Sequence, residues 1–269
     1  MITDLALSQR LERAEARANI SFVEARARHA PRSGATWCEV SGTYAMFDRI
    51  ASPATQTFGF GLFAPPTAED LSRLETFFDE RGAEVYHEVS PLADVSVLAL
   101  LTTRGYQPLE LTSVMHRPVA LAEPEHSSSA IRVRLIGAGE ADLYAQTAAR
   151  GWGQSPDLDA SISEFALVAA QAGGMACFLA EWDGTPIGSA GMALHDRSAL
   201  FAGASTIPEW RGRGAQSALL EARLRYAEAQ GCDLAVRGAL PGSASQRNAE
   251  RQGFRIAYTR IKWHRPRAG

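Results

Sequence analysis

The hydrophobic and polar residues of the chain recur with two different periods, which separate predicted helices from predicted strands. Residues 5–29 are rich in Arg, Glu and Ala with apolar positions at helical spacing, so they are predicted to form one amphipathic helix. Residues 177–182 and 187–194 are predicted to be strands, and Asp183-Gly184 between them is typical of a hairpin turn. The other elements predicted in the second half are helices over 140–150, 162–171 and 217–230 and a strand over 200–207.

The two halves of the chain follow one plan. Gly105-Tyr106 corresponds to Gly253-Phe254, and His116-Arg117-Pro118 corresponds to His264-Arg265-Pro266 at the same offset. In each half a helix ends at a glycine, and an alternating strand, a short helix, a Gly-aromatic turn and a last strand follow. The helix-ending glycines are Gly82 and Gly231, and the alternating strands cover residues 84–89 and 234–239. This agreement predicts two similar α/β (α+β) units in tandem.

A stretch rich in Pro, Ser and acidic residues separates the two copies. It covers residues 121–130 and is predicted to be a linker, with the boundary between the units near residue 128. The predicted organisation is therefore one unit over residues 1–120 and a second over residues 131–269.

Composition and charge narrow the class of protein. The chain has 269 residues, of which 46% are hydrophobic and 21% charged, so it can bury a core and is predicted to be a soluble globular protein. With 27 basic and 30 acidic residues its net charge is −3, and no basic surface for phosphate backbones is expected. Nucleic acid is therefore not a predicted partner.

The cysteines, the histidines and the apolar runs bear on the cellular compartment, on metal binding and on membrane association. Three widely spaced cysteines without a C-x-x-C pair favour a reducing compartment. The six histidines show no metal-ligand spacing, so no metal site is expected. An acidic rather than basic start and the absence of a long apolar run predict a cytoplasmic protein without a membrane partner.

The segment after the predicted strand 200–207 carries the most specific chemistry. Arg211-Gly-Arg-Gly-Ala-Gln216 follows a Pro208 turn and opens the predicted helix. Glycines let a backbone approach an anion closely, and a helix N-terminus adds donors and a positive dipole end, so a pyrophosphate fits here. Arg211 and Arg213 add charge. The spacing excludes a P-loop, because Lys262 is the only lysine, and it excludes G-x-G-x-x-G, because Ser217 follows Gly214 at the third position.

Thr206-Ile-Pro208 followed by Arg211-Gly-Arg-Gly-Ala-Gln216 resembles the signature loop of the GNAT superfamily of acyl-CoA-dependent N-acyltransferases. The resemblance extends over residues 131–263 and, more weakly, over 40–118. It implies a mixed sheet splayed open in the middle, with acetyl-CoA as co-substrate in the gap and an amine attacking the thioester directly in a ternary complex. The cofactor-binding residues that it implies are Ser205, Thr206, Ile207, Arg211, Gly212, Arg213, Gly214, Ala215, Gln216, Ser217 and Asn248.

The chain departs from the family pattern at the general acid. Many members carry N-x-x-A-x-x-L-Y-x-x-x-G-F, in which the Tyr protonates the leaving thiolate. Aligned on Gly253-Phe254, this chain has Ala249 at the Tyr position and Gly242 at the Asn position. Ser245 and Tyr258 are the candidate catalytic residues, and Asn248 shares a helix face with Ser245. Ser243 or Ser245 fits equally well as a helix cap, and Tyr258 as an ordinary strand residue.

No general base stands out. The strand over 200–207 has no carboxylate, Glu181 and Asp183 fit a hairpin turn, and His195-Asp196 falls at the next turn. A base acting through water is compatible with the chemistry. Gln216 stands at a position where the loop motif has a small residue. This substitution is compatible with anion binding, because the backbone N–H of Gln216 can still point at the anion.

The first copy is expected to have lost acyl-CoA binding. A strand predicted over 56–63 is followed by Ala64-Pro-Pro-Thr-Ala-Glu-Asp70, in which two prolines remove backbone donors and two acids repel phosphate. Thr67 and Asp70 predict an N-cap with a first-turn acid. This copy is then expected to cover or shape the acceptor site of the second.

The leading hypothesis is an acetyl-CoA-dependent N-acetyltransferase whose acceptor is a small-molecule amine or a protein amine. A catalytically silent acyl-CoA binding or sensing module is the alternative, since it too needs the loop and does not need the missing Tyr. A third hypothesis assumes the same fold with a different donor, either a longer acyl group or an activated amino acid. The oligomeric state stays open.

Overall fold

The computed structural model describes residues 3–119, 130–152 and 155–266, so nearly all of the predicted linker lies outside the described residues. The helices are α1 Leu5–His29, α2 Ala68–Asp79, α3 Ser96–Thr103, α4 Ala141–Trp152, α5 Pro156–Ala170, α6 Ala215–Ala229 and α7 Ala244–Arg251. The strands are β1 Thr36–Val40, β2 Thr43–Phe47, β3 Gln56–Phe58, β4 Val85–Val89, β5 Gln107–Pro118, β6 Ile131–Leu135, β7 Met175–Trp182, β8 Thr185–His195, β9 Ser198–Thr206, β10 Leu234–Ala239 and β11 Arg255–Arg265.

Two compact units divide the chain, and they are not the two sequence copies. One unit contains Met1–His116 together with Gly238–Gly269, and the other contains Arg117–Arg237. The C-terminal segment belongs to the first unit because β11 pairs antiparallel with both β4 and β5. The predicted units, residues 1–120 and 131–269, follow the sequence repeat, and this division stays a prediction.

The first unit is a mixed, mainly antiparallel sheet with helices on it. Its strand order is β1-β2-β3-β4-β11-β5, and only β3 and β4 run parallel. Asp4 caps α1 by accepting from the N–H of Leu7, and the bounds predicted for this helix are confirmed. One face of the sheet buries an apolar core that includes Phe60, Leu71, Phe78, Leu101 and Trp263.

The second unit has the strand order β10-β9-β8-β7-β6. β7 and β8 form the predicted hairpin, whose turn residues Asp183 and Gly184 have φ of 48° and 76°. Cys177 and Leu179 pack with α4 and α5, whereas Phe178, which points to the opposite face, meets Tyr226 of α6. Helices therefore cover both faces.

The sheet of the second unit opens between β9 and β10. These parallel strands pair only from Leu234↔Ser198 to Val236↔Leu200, although β9 continues to Thr206. Such a gap is the splayed sheet that the resemblance implies, and the predicted fold class is confirmed in both units. No helix in the described part of the chain has the length and apolar character that crossing a membrane requires.

Candidate active site

The turn between β9 and α6 exposes the start of a helix. After a short 3-10 turn over Pro208–Trp210, Gly212 and Gly214 adopt left-handed φ of 75° and 92°. Gly214 is the N-cap of α6 without a capping side chain, and the first turn of the helix contains no acid. Because the first N–H groups of a helix have no intrahelical acceptor, this turn is suited to bind an anion.

Space around the two glycines is open. A Cβ added at Gly212 or Gly214 meets no heavy atom within 4 Å, and residues 211–214 are exposed. Only the positive φ therefore makes glycine the favoured residue at these positions. A diphosphate group has room to approach the backbone.

The two arginines of the loop do different things. Arg213 lies over the ring of Trp210, with its guanidinium carbon 4.8 Å from the ring centroid, so its charge stays at the mouth of the turn. Arg211 instead donates to the carbonyl oxygens of Thr206 at 3.2 Å and Gly151 at 3.0 Å. It joins the ends of β9 and α4 to the loop, a bracing role that its sequence position did not reveal.

Gln216, the departure from the loop motif, has a specific contact. Its side-chain amide donates to Oγ1 of Thr206 at 2.8 Å, which joins the first turn of α6 to the end of β9. Ser205 is buried, shares a hydrogen bond of 3.2 Å with Ser189 and donates to the carbonyl of Ala148. The loop is thereby held against strands and helix alike.

Gly151 was missed by the sequence analysis. A Cβ at this position would overlap Oγ of Ser205 and lie 3.2 Å from the N of Thr206, so only glycine lets the end of α4 approach β9 this closely. The residue directly follows the helix predicted over residues 140–150, where a glycine fits an ordinary helix end. Its close contact with Ser205 was therefore not apparent from the sequence.

The backbone of Thr206 faces the gap in the sheet. Ile207 donates its N–H to the carbonyl of Ile187 on β8, and consecutive residues of an antiparallel strand point their N–H and C=O groups to opposite sides. Thr206 must therefore present both groups to the edge that β10 has left. Its carbonyl is the one that accepts from Arg211, which leaves the N–H directed at the gap.

A bulge interrupts β9 next to that edge. The register with β8 shifts between Ser189↔Ser205 and Gly191↔Ala202, and Gly203 has φ of 59°. Ala202 and Gly203 are exposed, although Phe201 and Ser205 on the same strand are buried. A ligand lying in the gap would contact backbone and small side chains here.

Ser245, Asn248 and Ala249 lie on α7, which belongs to the first unit. Ser243 caps α7 by accepting from the N–H of Gln246 at 3.1 Å, so the capping role considered for Ser243 or Ser245 falls to Ser243. Ser245 is exposed and Asn248 half-buried. Ala249 is completely buried, so the position of the expected Tyr is part of the packing. The roles predicted for Ser245 and Asn248 stay predictions.

Tyr258 is buried in the first unit and donates from its hydroxyl to Glu12 at 2.8 Å. Burial first, and then the charge of Glu12, hold the pKa of Tyr258 well above its usual range. Desolvation also raises the pKa of Glu12 to about 7 despite the nearby Arg260, which ion-pairs with Glu12, Glu15 and Glu88. These contacts favour a structural use of Tyr258, and its catalytic role stays a prediction.

Two of the groups considered as bases, Glu181 and His195, lie against other side chains. Glu181 accepts from Arg134 at 2.8 Å, and His195 lies 2.9 Å from Asp196 beside its turn. Within residues 3–119, 130–152 and 155–266, no cluster of three or more His, Cys, Asp or Glu side chains has the arrangement of a metal site.

The turn of the first unit that corresponds to the loop is closed. β3 ends at Phe58, so the strand predicted to residue 63 is wrong beyond that point, where Gly59 and Gly61 turn the chain with φ of 85° and 69°. Phe60 and Leu62 are buried, and the N–H of Asp94 donates to the carbonyl of Gly61 at 2.8 Å. The side chains of the turn fill the space that stays open in the second unit.

The predicted cap of α2 is confirmed in full. Asp70 donates its N–H to Oγ1 of Thr67 at 3.0 Å, and the N–H of Thr67 donates to Oδ2 of Asp70 at 3.0 Å. This capping box places a carboxylate at the helix start.

Comparisons with known proteins agree with this geometry. Residues 142–254 match the family model described as "Acetyltransferase (GNAT) family". A search of the curated proteins found no match to the chain. Among solved structures, a GCN5-related N-acetyltransferase from Kribbella flavida is 16% identical with a TM-score of 0.66, over 94% of this chain and 96% of that one.

Two further solved structures resemble the chain over most of its length. A functionally unknown conserved protein from Staphylococcus epidermidis ATCC 12228 is 9% identical with a TM-score of 0.61, over 88% of this chain and 96% of that one. A tandem GNAT protein from the clavulanic acid biosynthesis pathway is 13% identical with a TM-score of 0.57, over 85% of this chain and 80% of that one. At these identities the likeness concerns the fold. Residues 142–254 accordingly match the GNAT acetyltransferase family model, and the chain has the fold of solved GNAT proteins.

Proposed function

We propose that the chain transfers an acetyl group from acetyl-CoA to an amine by direct attack in a ternary complex. One observation carries the proposal: the strand β9 ends in a turn with two left-handed glycines before an acid-free helix start. A helix N-terminus of this kind binds phosphate through backbone donors and its positive dipole end. The GNAT family match over residues 142–254 connects that anion site with acyl-CoA.

The residues present fit acetyl-CoA. The backbone of residues 212–217 supplies donors for the diphosphate, and Arg213 supplies a charge beside it. The gap-facing backbone of Thr206 suits pairing with the amide groups of a pantetheine arm, and Gln216 and Arg211 hold Thr206 in place. The exposed bulge at Ala202 and Gly203 is open for the thioester end.

Transfer from a thioester needs positioning more than covalent help from the protein. A neutral amine must be aligned with the carbonyl carbon, and a backbone N–H must polarise the carbonyl oxygen. The amine nitrogen forms the new C–N bond while the C–S bond breaks, and its proton passes to solvent or to a base through water. The acceptor of the proposal is a small-molecule amine or a protein amine.

A silent acyl-CoA binding or sensing module is the second candidate. The observation that favours it is the buried Ala249 at the position of the expected Tyr, together with the engagement of Tyr258 by Glu12. Both candidates predict binding of acetyl-CoA. Only the enzyme releases CoA thiol above the buffer rate when amines are supplied.

Isothermal titration of acetyl-CoA and CoA tests the shared premise. The wild type is expected to bind about one equivalent, and Gly214→Asp is expected to bind at least about 100-fold more weakly, because its carboxylate repels the diphosphate at the helix start. Gly214→Asn is the matched control, since Asn has the same shape, tolerates positive φ and adds no charge. No binding to the wild type, or equal losses in both variants, would contradict the phosphate-site assignment. A panel of amines with thiol detection then separates the enzyme from the sensor.

A further inference from the structure

Arg223 is the most deeply buried cation of the second unit. It projects from α6 with 2% of its surface exposed. Its guanidinium donates to the carbonyl oxygens of Leu219 at 3.1 Å and Gly191 at 3.2 Å, and its central carbon lies 4.6 Å from the ring centroid of Phe201. These contacts orient the charge, and none of them is with a carboxylate.

Arg223 faces a second cation and a hydroxyl group. Arg237 approaches from β10, and the hydroxyl of Tyr144 approaches from α4, where it bonds to Cys177 of β7. Burial first, and then the charge of Arg237, lower the pKa of Arg223 to about 9. No acid among the described residues of α4, β7, β8, β9 or β10 contributes to it. A buried cation of this kind is unfavourable unless an anion compensates it.

The position of Arg223 in the unit suggests where that anion comes from. Phe201 and Arg237 are the first residues of β9 and β10 beyond the paired stretch that ends at Leu200↔Val236. Arg223 thus lies at the apex of the gap between the strands, roughly two helical turns from the start of α6. Along β9, Phe201 lies about 16 Å from Thr206. A pantetheine arm that starts at the loop and follows β9 inward ends with its sulfur in this region.

We propose that Arg223 and Arg237 form an anion site that stabilises the thiolate of departing CoA. The inference rests on the proposed function, because acetyl transfer is what produces this thiolate. As the amine nitrogen bonds to the carbonyl carbon, the C–S bond breaks and its electron pair stays on sulfur. The ammonium proton leaves separately, and the thiolate is protonated after release. Electrostatic stabilisation by a desolvated cation then replaces protonation by a Tyr, for which this chain has Ala249.

The direct test measures the ionisation of the thiol of bound CoA. The ultraviolet absorbance of the thiolate is followed against pH for the complex, with the complex of desulfo-CoA subtracted to remove protein tyrosines and cysteines. In the wild type the bound thiol is expected to titrate about 1–3 units below free CoA, the usual effect of an adjacent opposite charge. In Arg223→Met most of this shift should disappear while CoA still binds at the loop.

Arg225→Met is the matched control, because Arg225 lies on the same helix but is exposed and pairs with Glu221. It should titrate like the wild type. Arg223→Lys keeps a cation of different shape and should retain part of the shift. A bound thiol that titrates like free CoA in the wild type would overturn the inference, as would Arg223→Met that keeps the full shift.

If Arg223→Met does not fold, the wild type measured against free CoA, together with Arg237→Gln, still decides the question. An Arg237→Gln variant that retains the full shift would remove Arg237 from the site. A role confined to packing would leave the thiol ionisation unchanged in every folded variant. Failure of CoA to bind at all would instead refute the proposed function, and titration calorimetry detects that separately.

Discussion

Two strand–turn–helix segments of similar plan, β9 to α6 and β3 to α2, end in helix starts of opposite character. In the second unit Gly214 caps α6 without a side chain, and no acid lies in the first turn. In the first unit Thr67 and Asp70 close a capping box on α2, and Phe60 fills the preceding turn. A helix N-terminus is thus an external anion site only when the protein's own side chains leave its donors open.

The two units also differ in the groups that surround their buried arginines. In the first, Arg260 is surrounded by Glu12, Glu15 and Glu88, so its charge is compensated within the fold. In the second, Arg223 has carbonyl oxygens and an aromatic ring around it, and no acid among the described residues contributes to its charge environment. The first arrangement compensates a buried charge within the fold, whereas the second leaves a buried charge that an anionic ligand would compensate.

The comparison of the turns is tested most strongly by paired glycine substitutions. Gly61→Ala should lower the free energy of unfolding by about 2–5 kcal/mol, because left-handed strain is added to an overlap with Val97. Gly212→Ala should cost only about 1–2 kcal/mol, since its Cβ enters open space. Urea unfolding of the two variants measures the difference. Equal losses would show that the first turn is no more tightly filled than the second.

The comparison of buried charges predicts a pH effect in the first unit. The pKa of Glu12 is about 7 in the folded protein and near 4.5 unfolded, so the folded state binds the proton more tightly. The contribution of Glu12 to stability is therefore greatest below pH 4.5 and decreases as the pH rises through 7. Glu12→Gln should flatten the dependence of the urea midpoint on pH within this window. An unchanged slope in the variant would show that Glu12 ionises normally.

Substitutions of Gln216 test the contrast between a helix start without an acid and a helix start with one. Gln216→Glu keeps the shape of the side chain, adds a charge to the first turn and loses the N–H donated to Thr206. Acetyl-CoA should bind about tenfold more weakly, equivalent to about 1.4 kcal/mol. Gln216→Met, which loses only the hydrogen bond, should lie between the variant and the wild type in calorimetry. Undiminished affinity of the Glu variant would place the diphosphate away from this turn.

The smallest effect is expected at the cap of α2. Thr67→Ala removes the side-chain acceptor for the N–H of Asp70 and should cost about 1 kcal/mol of stability. Acetyl-CoA affinity should be unaffected, because the carboxylate of Asp70 in the first turn already disfavours a phosphate there. A parallel loss of affinity would mean that the first unit contributes to donor binding.

Local features of the fold and of the site were predictable from the sequence. The bounds of α1, the β7–β8 hairpin, the Thr67–Asp70 cap and the glycine turn before α6 all depend on residues close together in the chain. The strand predicted to residue 63 ends at Phe58. Residues 59–63 keep the hydrophobic pattern of a strand, but Gly59 and Gly61 adopt positive φ and the segment forms a packed loop. Gly151 was overlooked, since its close contact is with Ser205, distant in the chain.

The sequence by itself determined which helix start lacks a capping side chain and an acid, because capping residues and glycines set the backbone within a few residues. Only the tertiary structure decided that β11 completes the first unit, that Tyr258 meets Glu12, and that Arg223 lies buried at the apex of the gap. These contacts join residues far apart in the chain, and periodicity shows that a side chain is buried without showing what it is buried against. The chemistry of a buried charge depends on those neighbours, so the proposed thiolate site emerged only from the folded chain.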